Sequence, residues 1–484
     1  MPFTNGWEAF TTALKSEKIQ FVFAPPTLAG GLRAALGQEP ALRLLSGSQP
    51  AQMALGCTLA SGEPAVCLGA LPDLLPALWQ ARESCAPLLA VCLDESTGAD
   101  AGGAAKWTDR VSSPQQIPWS LRRAFSLAAN GQPGPVLLHL PTTVADSQAE
   151  IPAYQPAQRS IRSTGDLARV IAAAFLLVEA KNPVLLAGVG ARRSGAGDDA
   201  RALAELLGMP VLTTSGGRGI LPEDHPLSLG WAGAQASAAA QNALQAADLV
   251  LTVGAREVQH RPGLRWIQID IDSFELGRDW LPDLPILGDA KLVLADILSA
   301  ILSEVQPKPE WQIRGARWAK VKQQSEAAAR AAALPGALTP AGALSALRQA
   351  CGRETTLLYE TGSPYLSAMA APHFPVDEPA GVLPLARLSW AAMQGAQAAR
   401  PARQMAAVHH TLPADEPDLF ALPAAGGLLW VALCPPGGAA SPQALARLQA
   451  AGLAVERVSR AEDLPAALAA LRGQTALLEI TLPE

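Results

Sequence analysis

Three groups of residues in this 484-residue chain have the types and spacing that chemistry needs. The first is a set of glycines behind apolar runs: Gly188 and Gly190, Gly217 and Gly219 just after Thr214, and Gly254 ahead of Arg256. Backbone N–H groups at such turns can meet a diphosphate, and the arginine adds positive charge. The second is Asp270 and Asp272, where acids can bond ribose or adenine groups at a strand end. Together these residues read as a nucleotide site; the competing reading is that they only make turns. The third group is His409 and His410, with Asp415 and Glu416 nearby, types that suit zinc binding or proton transfer. Adjacent residues on a strand end point to opposite sides, so the two imidazoles do not readily share one metal, and a solvated loop is the simpler reading. His225, in a Glu-Asp-His-Pro turn, reads as a structural hydrogen-bonding histidine. Lys181 and the pair Arg192–Arg193 read as a solvated rim able to guide an anionic cofactor.

The elements that position these residues follow from periodicity. Asn182 to Ala187 is an apolar run ending in glycines, the pattern of a buried strand and a tight turn. Asp199 to Leu207 has leucines at helical spacing with Gly208 as its stop. Pro210–Thr214, Asp248–Gly254 and Arg265–Asp270 repeat the strand pattern. The expectation is an α/β chain of three doubly wound parallel-sheet domains. Residues 1–160 form the first, 175–305 the central one and 338–484 the third, with 306–337 a linker carrying an exposed helix.

A formal charge of −6 and the lack of a basic patch argue against a nucleic-acid partner. No apolar run approaches the roughly 20 residues a spanning helix needs, and the first residues do not read as a signal peptide. Six scattered cysteines without metal-ligand spacing read as buried reduced thiols, which fits a cytoplasmic protein.

The run Thr213-Thr214-Ser215-Gly216-Gly217-Arg218-Gly219-Ile220-Leu221-Pro222-Glu223-Asp224-His225-Pro226-Leu227 resembles the central domain of the thiamine-diphosphate-dependent enzymes. The nearest branch is the acetolactate synthase, glyoxylate carboligase and 2-oxoacid decarboxylase group. Ala247 to Arg256 and Ile269 to Asp272 fit the same template in order. Gly131 to Pro141 matches the end of that family's pyrimidine-binding domain, and Arg400 to Val408 resembles the strand ahead of its diphosphate loop.

The resemblance implies thiamine diphosphate held through Mg²⁺, with sites shared between subunits of a homodimer or tetramer. It also locates two departures. The family's glutamate, which tautomerises the coenzyme's aminopyrimidine, aligns with Gly47, and the neighbours Ser46, Ser48 and Gln49 supply no acid. The family's Gly-Asp-Gly metal loop aligns with His409-His410-Thr411, and its later asparagine falls near Cys434-Pro435-Pro436. Mg²⁺ wants hard oxygen ligands, which these side chains do not form. The expectation is therefore a member without ordinary thiamine-diphosphate catalysis, acting as a scaffold, a regulatory partner of a paralogous active chain, or a nucleotide-binding protein. In the branch resembled, the central domain binds FAD, so FAD or another adenine nucleotide is the candidate occupant of Gly188, Gly190, Thr214, Gly217, Gly219, Gly254, Arg256, Asp270 and Asp272. The alternative is an active decarboxylase or carboligase with altered cofactor handling.

Overall fold

A computed structural model of the chain describes residues 3–27, 30–94, 101–233, 236–256, 261–332, 338–361, 374–409, 427–435, 442–450 and 452–482. Three six-stranded parallel sheets carry the three α/β domains. The first contains β1 (Phe3–Asn5), β2 (Phe21–Ala24), β3 (Arg43–Ser46), β4 (Ala65–Gly69), β5 (Leu88–Cys92), β6 (Trp107–Arg110), β7 (Val136–His139) and β8 (Gln148–Glu150). Its sheet runs β3-β2-β4-β5-β7-β6, while β1 and β8 pair antiparallel outside it.

The central domain holds β9 (Pro183–Ala187), β10 (Val211–Thr213), β11 (Ser228–Trp231), β12 (Leu249–Val253), β13 (Arg265–Asp270) and β14 (Leu284–Leu287). Both β9 and β12 are buried at every residue, as their unbroken apolar runs require of strands covered on both faces. Helices cover the sheet. Asp166 caps Leu167–Glu179 by accepting from Arg169 N–H, and Asp289 caps Ala290–Glu304 through the N–H groups of Lys291 and Leu292. Gly208 ends Gly197–Leu207 in the left-handed conformation.

The third domain has β15 (Thr356–Glu360), β16 (Val382–Leu385), β17 (Met405–His409), β18 (Leu428–Cys434), β19 (Ala454–Val458) and β20 (Ala476–Thr481), in the order β16-β15-β17-β18-β20-β19. Apart from β1 and β8, the first and third sheets share one strand order although the sequence carries no detectable repeat. The central order, β11-β10-β9-β12-β13-β14, differs and reverses between β9 and β12. Open α/β sheets bind ligands at that kind of reversal, beyond the carboxyl ends of the strands.

The domains pack into one another through close approaches. Helix Pro50–Ser61 of the first crosses helix Trp390–Ala399 of the third with Gly56 against the Ala392 backbone and Gly395 against that of Met53, so a Cβ at either would collide with main chain. Their apolar residues belong to a single core running unbroken across both domains. Central and third domains are joined by Arg218, fully buried, whose guanidinium pairs with Glu223 through two 2.8 Å bonds and donates to Phe374 O at 3.0 Å. Glu223 also exchanges backbone hydrogen bonds with the third domain: its N–H donates to Val376 O at 2.9 Å, and its carboxylate accepts from Val376 N–H at 3.0 Å. The interdomain helix Pro309–Ala332 is less exposed than its polar composition suggests. Trp311, Trp318 and Arg314 are buried, with Arg314 donating to Leu207 O and, at 3.0 Å, to Ala180 O.

Candidate functional site

The reversal between β9 and β12 puts Gly188 and Gly254 side by side at the strand ends. Gly188 N–H donates to Val253 O, Gly190 N–H to Gly254 O and Gly254 N–H to Ile269 O, at 2.9–3.0 Å. Gly254 sits at φ +54°, and a Cβ on Gly190 would lie 2.7 Å from its Cα. These glycines let the two strand ends touch. Gly217 N–H is likewise committed, to Thr214 O at 3.0 Å, and its α-carbon abuts the Ala187 carbonyl; Gly219, at φ +78°, abuts the backbone of Glu378 in the third domain. The expectation that glycine N–H groups cradle a diphosphate therefore needs correcting at Gly188, Gly190 and Gly217. Their donors are used to close the strand ends and are not available to an anion.

Two cavities open at this crevice, of about 450 and 480 Å³, sharing the wall residues Val189, Arg193, Gly254 and Arg256. The first lies between the first and central domains and takes in Gly190, Arg162, Asp270 and Asp289. The second reaches the junction of all three domains and takes in Thr214, Ser215, Arg192, Trp231 and, from the third domain, Thr361 and Pro384. Of the predicted cofactor residues, Gly190, Thr214, Gly254, Arg256 and Asp270 thus face the cavities. Gly188, Gly217 and Gly219 sit behind them as packing, and Asp272 shapes a turn, its N–H donating to Asp270 Oδ1 at 2.9 Å and its Oδ1 accepting from Phe274 N–H at 3.0 Å.

Charge in the crevice is uneven. Asp270 is buried, and burial pushes its carboxyl up from 3.8 to about 6, against the hydrogen bond from Asp272 N–H. Arg256 is already paired, with Glu275 at 3.2 Å and Glu83 at 3.7 Å. In the amide orientation that satisfies both neighbours, Gln132 donates to Asp272 Oδ2 at 3.0 Å and accepts from Arg256 Nη2 at 2.5 Å. Arg192 and Arg193 behave differently from the solvated rim read from sequence. They occupy the short helix Val189–Ser194, which the first domain covers through Ser84 and Cys85, and both line a cavity. Arg193 Nε is buried without a hydrogen-bond partner, and only its Nη2 makes a long 3.5 Å contact to Ser84 O.

The third domain's sheet reverses between β15 and β17, and there the crevice is bridged: His409 Nε2 lies 2.7 Å from Glu360 Oε2 across the two strand ends. Sequence reading did not find Glu360, because 49 residues separate it from its partner. The Trp430 ring stands 6.0 Å from the imidazole. His410, Asp415, Glu416 and Pro436 lie outside the described residues. In the first domain Gly47 follows β3, and its N–H donates to Ala24 O at 3.2 Å. The acid-free segment Ser46–Gln49 connects that strand to helix Pro50–Ser61. His225 is a structural histidine: Nδ1 accepts from Leu227 N–H at 3.2 Å and Nε2 lies 3.0 Å from Glu205. All six cysteines are buried and free. Among the described residues no helix is long and apolar enough to cross a membrane, and no group of three or more histidine, cysteine or acidic residues is placed to hold a metal.

Comparison with known proteins agrees with this architecture. Residues 170–297 match the family model described as thiamine pyrophosphate enzyme, central domain. The chain is 32% identical over 345 residues to a protein of Methanocaldococcus jannaschii described as a probable acetolactate synthase large subunit, covering 63% of this chain and 58% of that one. It is 29% identical over 343 residues to 2-hydroxyacyl-CoA lyase 1 of Mus musculus, covering 64% and 56%. The chain thus spans little more than half the length of these relatives. An X-ray structure from Mycobacterium smegmatis, of a protein provisionally assigned as a thiamin diphosphate-dependent enzyme, superposes with a TM-score of 0.78 at 19% identity over 99% of this chain and 100% of that one. At that identity the likeness speaks for the fold.

Proposed function

Since the chain belongs to the thiamine-diphosphate-dependent enzyme family, in its acetolactate-synthase-like part, we propose that it is a member built around a nucleotide rather than around thiamine diphosphate. The fit to thiamine diphosphate and Mg²⁺ fails on the residues themselves. No carboxylate stands at or beside Gly47, and the metal-loop position carries His409, hydrogen-bonded to Glu360 across the crevice where a diphosphate would sit. Imidazole is a poor ligand for a hard cation that demands oxygen atoms in an octahedral shell. No step through thiamine diphosphate is therefore derived.

The central crevice fits an adenine nucleotide, FAD foremost. The observation that carries this reading is Arg193, which lines both cavities and pairs with no carboxylate among the described residues. A charged donor in that state is stabilised by an anion such as a diphosphate, which an arginine fork meets with directional hydrogen bonds. Asp270 faces the same cavity, where its carboxylate can accept from ribose hydroxyls. When bound, FAD would supply a redox-active ring; the residues named here bind and orient the ligand. The chain then acts as a nucleotide-binding scaffold or regulatory partner, as a homodimer or tetramer or beside an active paralogue. A flavin-fluorescence titration tests the site. The wild type should bind FAD, and Arg193→Gln should weaken binding at least tenfold, about 1.4 kcal/mol or more. Equal affinity in the two proteins would refute the assignment.

A further inference from the structure

The helix Leu167–Glu179 is apolar on more sides than its place in the fold requires. Of its 13 residues only Arg169 and Glu179 are polar. Val170, Ala173, Ala174 and Leu177 face the central core. Leu167, Ile171 and Phe175, at helical spacing, form a second stripe that stays 69, 40 and 52% exposed. A helix apolar all round is ordinarily a buried one. Between this stripe and the neighbouring helix Ala290–Glu304 runs a groove of about 350 Å³, lined also by Ala174, Val178, Ala300 and Ile301. None of the groove's residues lines either cavity of the nucleotide crevice.

The charges at the helix ends say what covers this face. Arg169 and Lys291 lie in the first turns of the two helices, and Glu179 and Glu304 end them. Neither helix has an acid in its first turn or a base in its last. That arrangement opposes the helix macrodipole, which favours acids at the N-terminus and bases at the C-terminus. Arg169 donates to Pro285 O at 2.9 Å, but among the described residues none of the four charges belongs to an ion pair. The two helices run in the same direction: Asp289 N–H donates to Ser163 O ahead of them, and Val178 and Glu304 share the groove at its far end. A second copy turned about a two-fold axis presents the same pair of helices antiparallel. Its stripe then lies in this groove, its Arg169 and Lys291 stand over Glu179 and Glu304, and the macrodipoles run head to tail.

We propose that the outer face of these two helices is a self-complementary interface, through which two copies of the chain pair about a two-fold axis. This gives the homo-oligomeric part of the function proposed above a surface, and it rests on none of the nucleotide part. Two helices about 20 Å long and about 10 Å apart present a face of roughly 400 Å², half of what a standard interface buries per partner. The pairing is therefore concentration-dependent.

Sedimentation velocity of the full-length chain across the micromolar range tests this. The wild type should show a concentration-dependent doubling of mass, from monomer to dimer or from dimer to tetramer. Phe175→Glu should raise the dissociation constant of that step at least tenfold. Arg169→Glu should weaken the step as well, and so should the double variant Glu179→Arg/Glu304→Arg. The triple variant that combines them should pair more tightly than either. Each of these charge changes suits the macrodipole of its own helix, so the variants should be at least as heat-stable as the wild type while pairing less well. No doubling of mass in the wild type overturns the interface, as does a doubling that Phe175→Glu leaves unchanged. A triple variant no better than its parents overturns the two-fold pairing too. Pairing that depends on Phe175 in a chain that fails to bind FAD would refute the nucleotide reading and leave this interface standing. FAD binding by a chain that never pairs would do the reverse.

Discussion

The central sheet reverses strand order between β9 and β12 and the third between β15 and β17, and these two reversals have opposite electrostatic fates. Between β9 and β12 the crevice stays open, and Arg192 and Arg193 bring charge to it that the protein does not neutralise. Between β15 and β17 the crevice is spanned by Glu360 and His409, an acid and an imidazole that satisfy each other at 2.7 Å. An open sheet offers the same kind of place twice, but among the described residues the uncommitted donors lie at the first. Architecture thus supplies the location, and the balance of paired against unpaired side chains decides whether a ligand belongs there.

Arg218 offers the hardest test of this contrast, because it stands between the two crevices, two residues after Gly216 and over the Tyr359 ring that precedes Glu360. Arg218→Met leaves Glu223 buried and uncompensated, and should cost about 3–5 kcal/mol in urea unfolding, with loss of the central–third domain seam. A loss below about 1 kcal/mol would mean the pair does not hold the crevices apart. Next comes Gly188→Val, whose side chain would drive into the Gly254 carbonyl. It should cost roughly 1–3 kcal/mol by overpacking and abolish FAD binding, while an unchanged titration would place the nucleotide elsewhere.

Asp270 gives a pH-dependent effect. Its carboxyl is raised from 3.8 to about 6, so the folded chain holds this proton more tightly than the unfolded one. The resulting penalty is present above about pH 6 and fades as pH falls toward 4. Asp270→Asn should therefore stabilise the chain by on the order of 2–3 kcal/mol at pH 7.5 and by roughly a third of that at pH 4.5. Equal gains at both values would remove burial as the cause. The smallest effect belongs to the bridged crevice. His409 and Glu360 are partly exposed, so His409→Gln should change stability by less than about 1 kcal/mol and leave FAD affinity unaltered. Weaker FAD binding in that variant would join two crevices that the account keeps separate.

The fold was readable because its signals are local. Apolar runs such as Pro183–Ala187 and Leu249–Val253 are buried strands, and glycines at 188, 208 and 254 fall where strand ends touch or a helix stops. The site was readable only in part. The spacing of Gly188 and Gly190 located the crevice, but not that their N–H groups would be consumed in closing it. Two adjacent arginines after a Gly-x-Gly look like a rim until Ser84, about 110 residues earlier in the chain, meets Arg193. One local signal was available: arginines in the first turns after a buried strand must face the crevice at that strand's carboxyl end. Glu360 had no such signal, since only parallel pairing of β15 with β17 brings it to His409.

Paired calorimetric titrations of the full-length protein, with FAD and with thiamine diphosphate plus Mg²⁺, test the central claim most directly. The account predicts saturable one-site heat with FAD and none with thiamine diphosphate at any Mg²⁺ concentration. Metal-dependent saturation with thiamine diphosphate, and no heat with FAD, would contradict it.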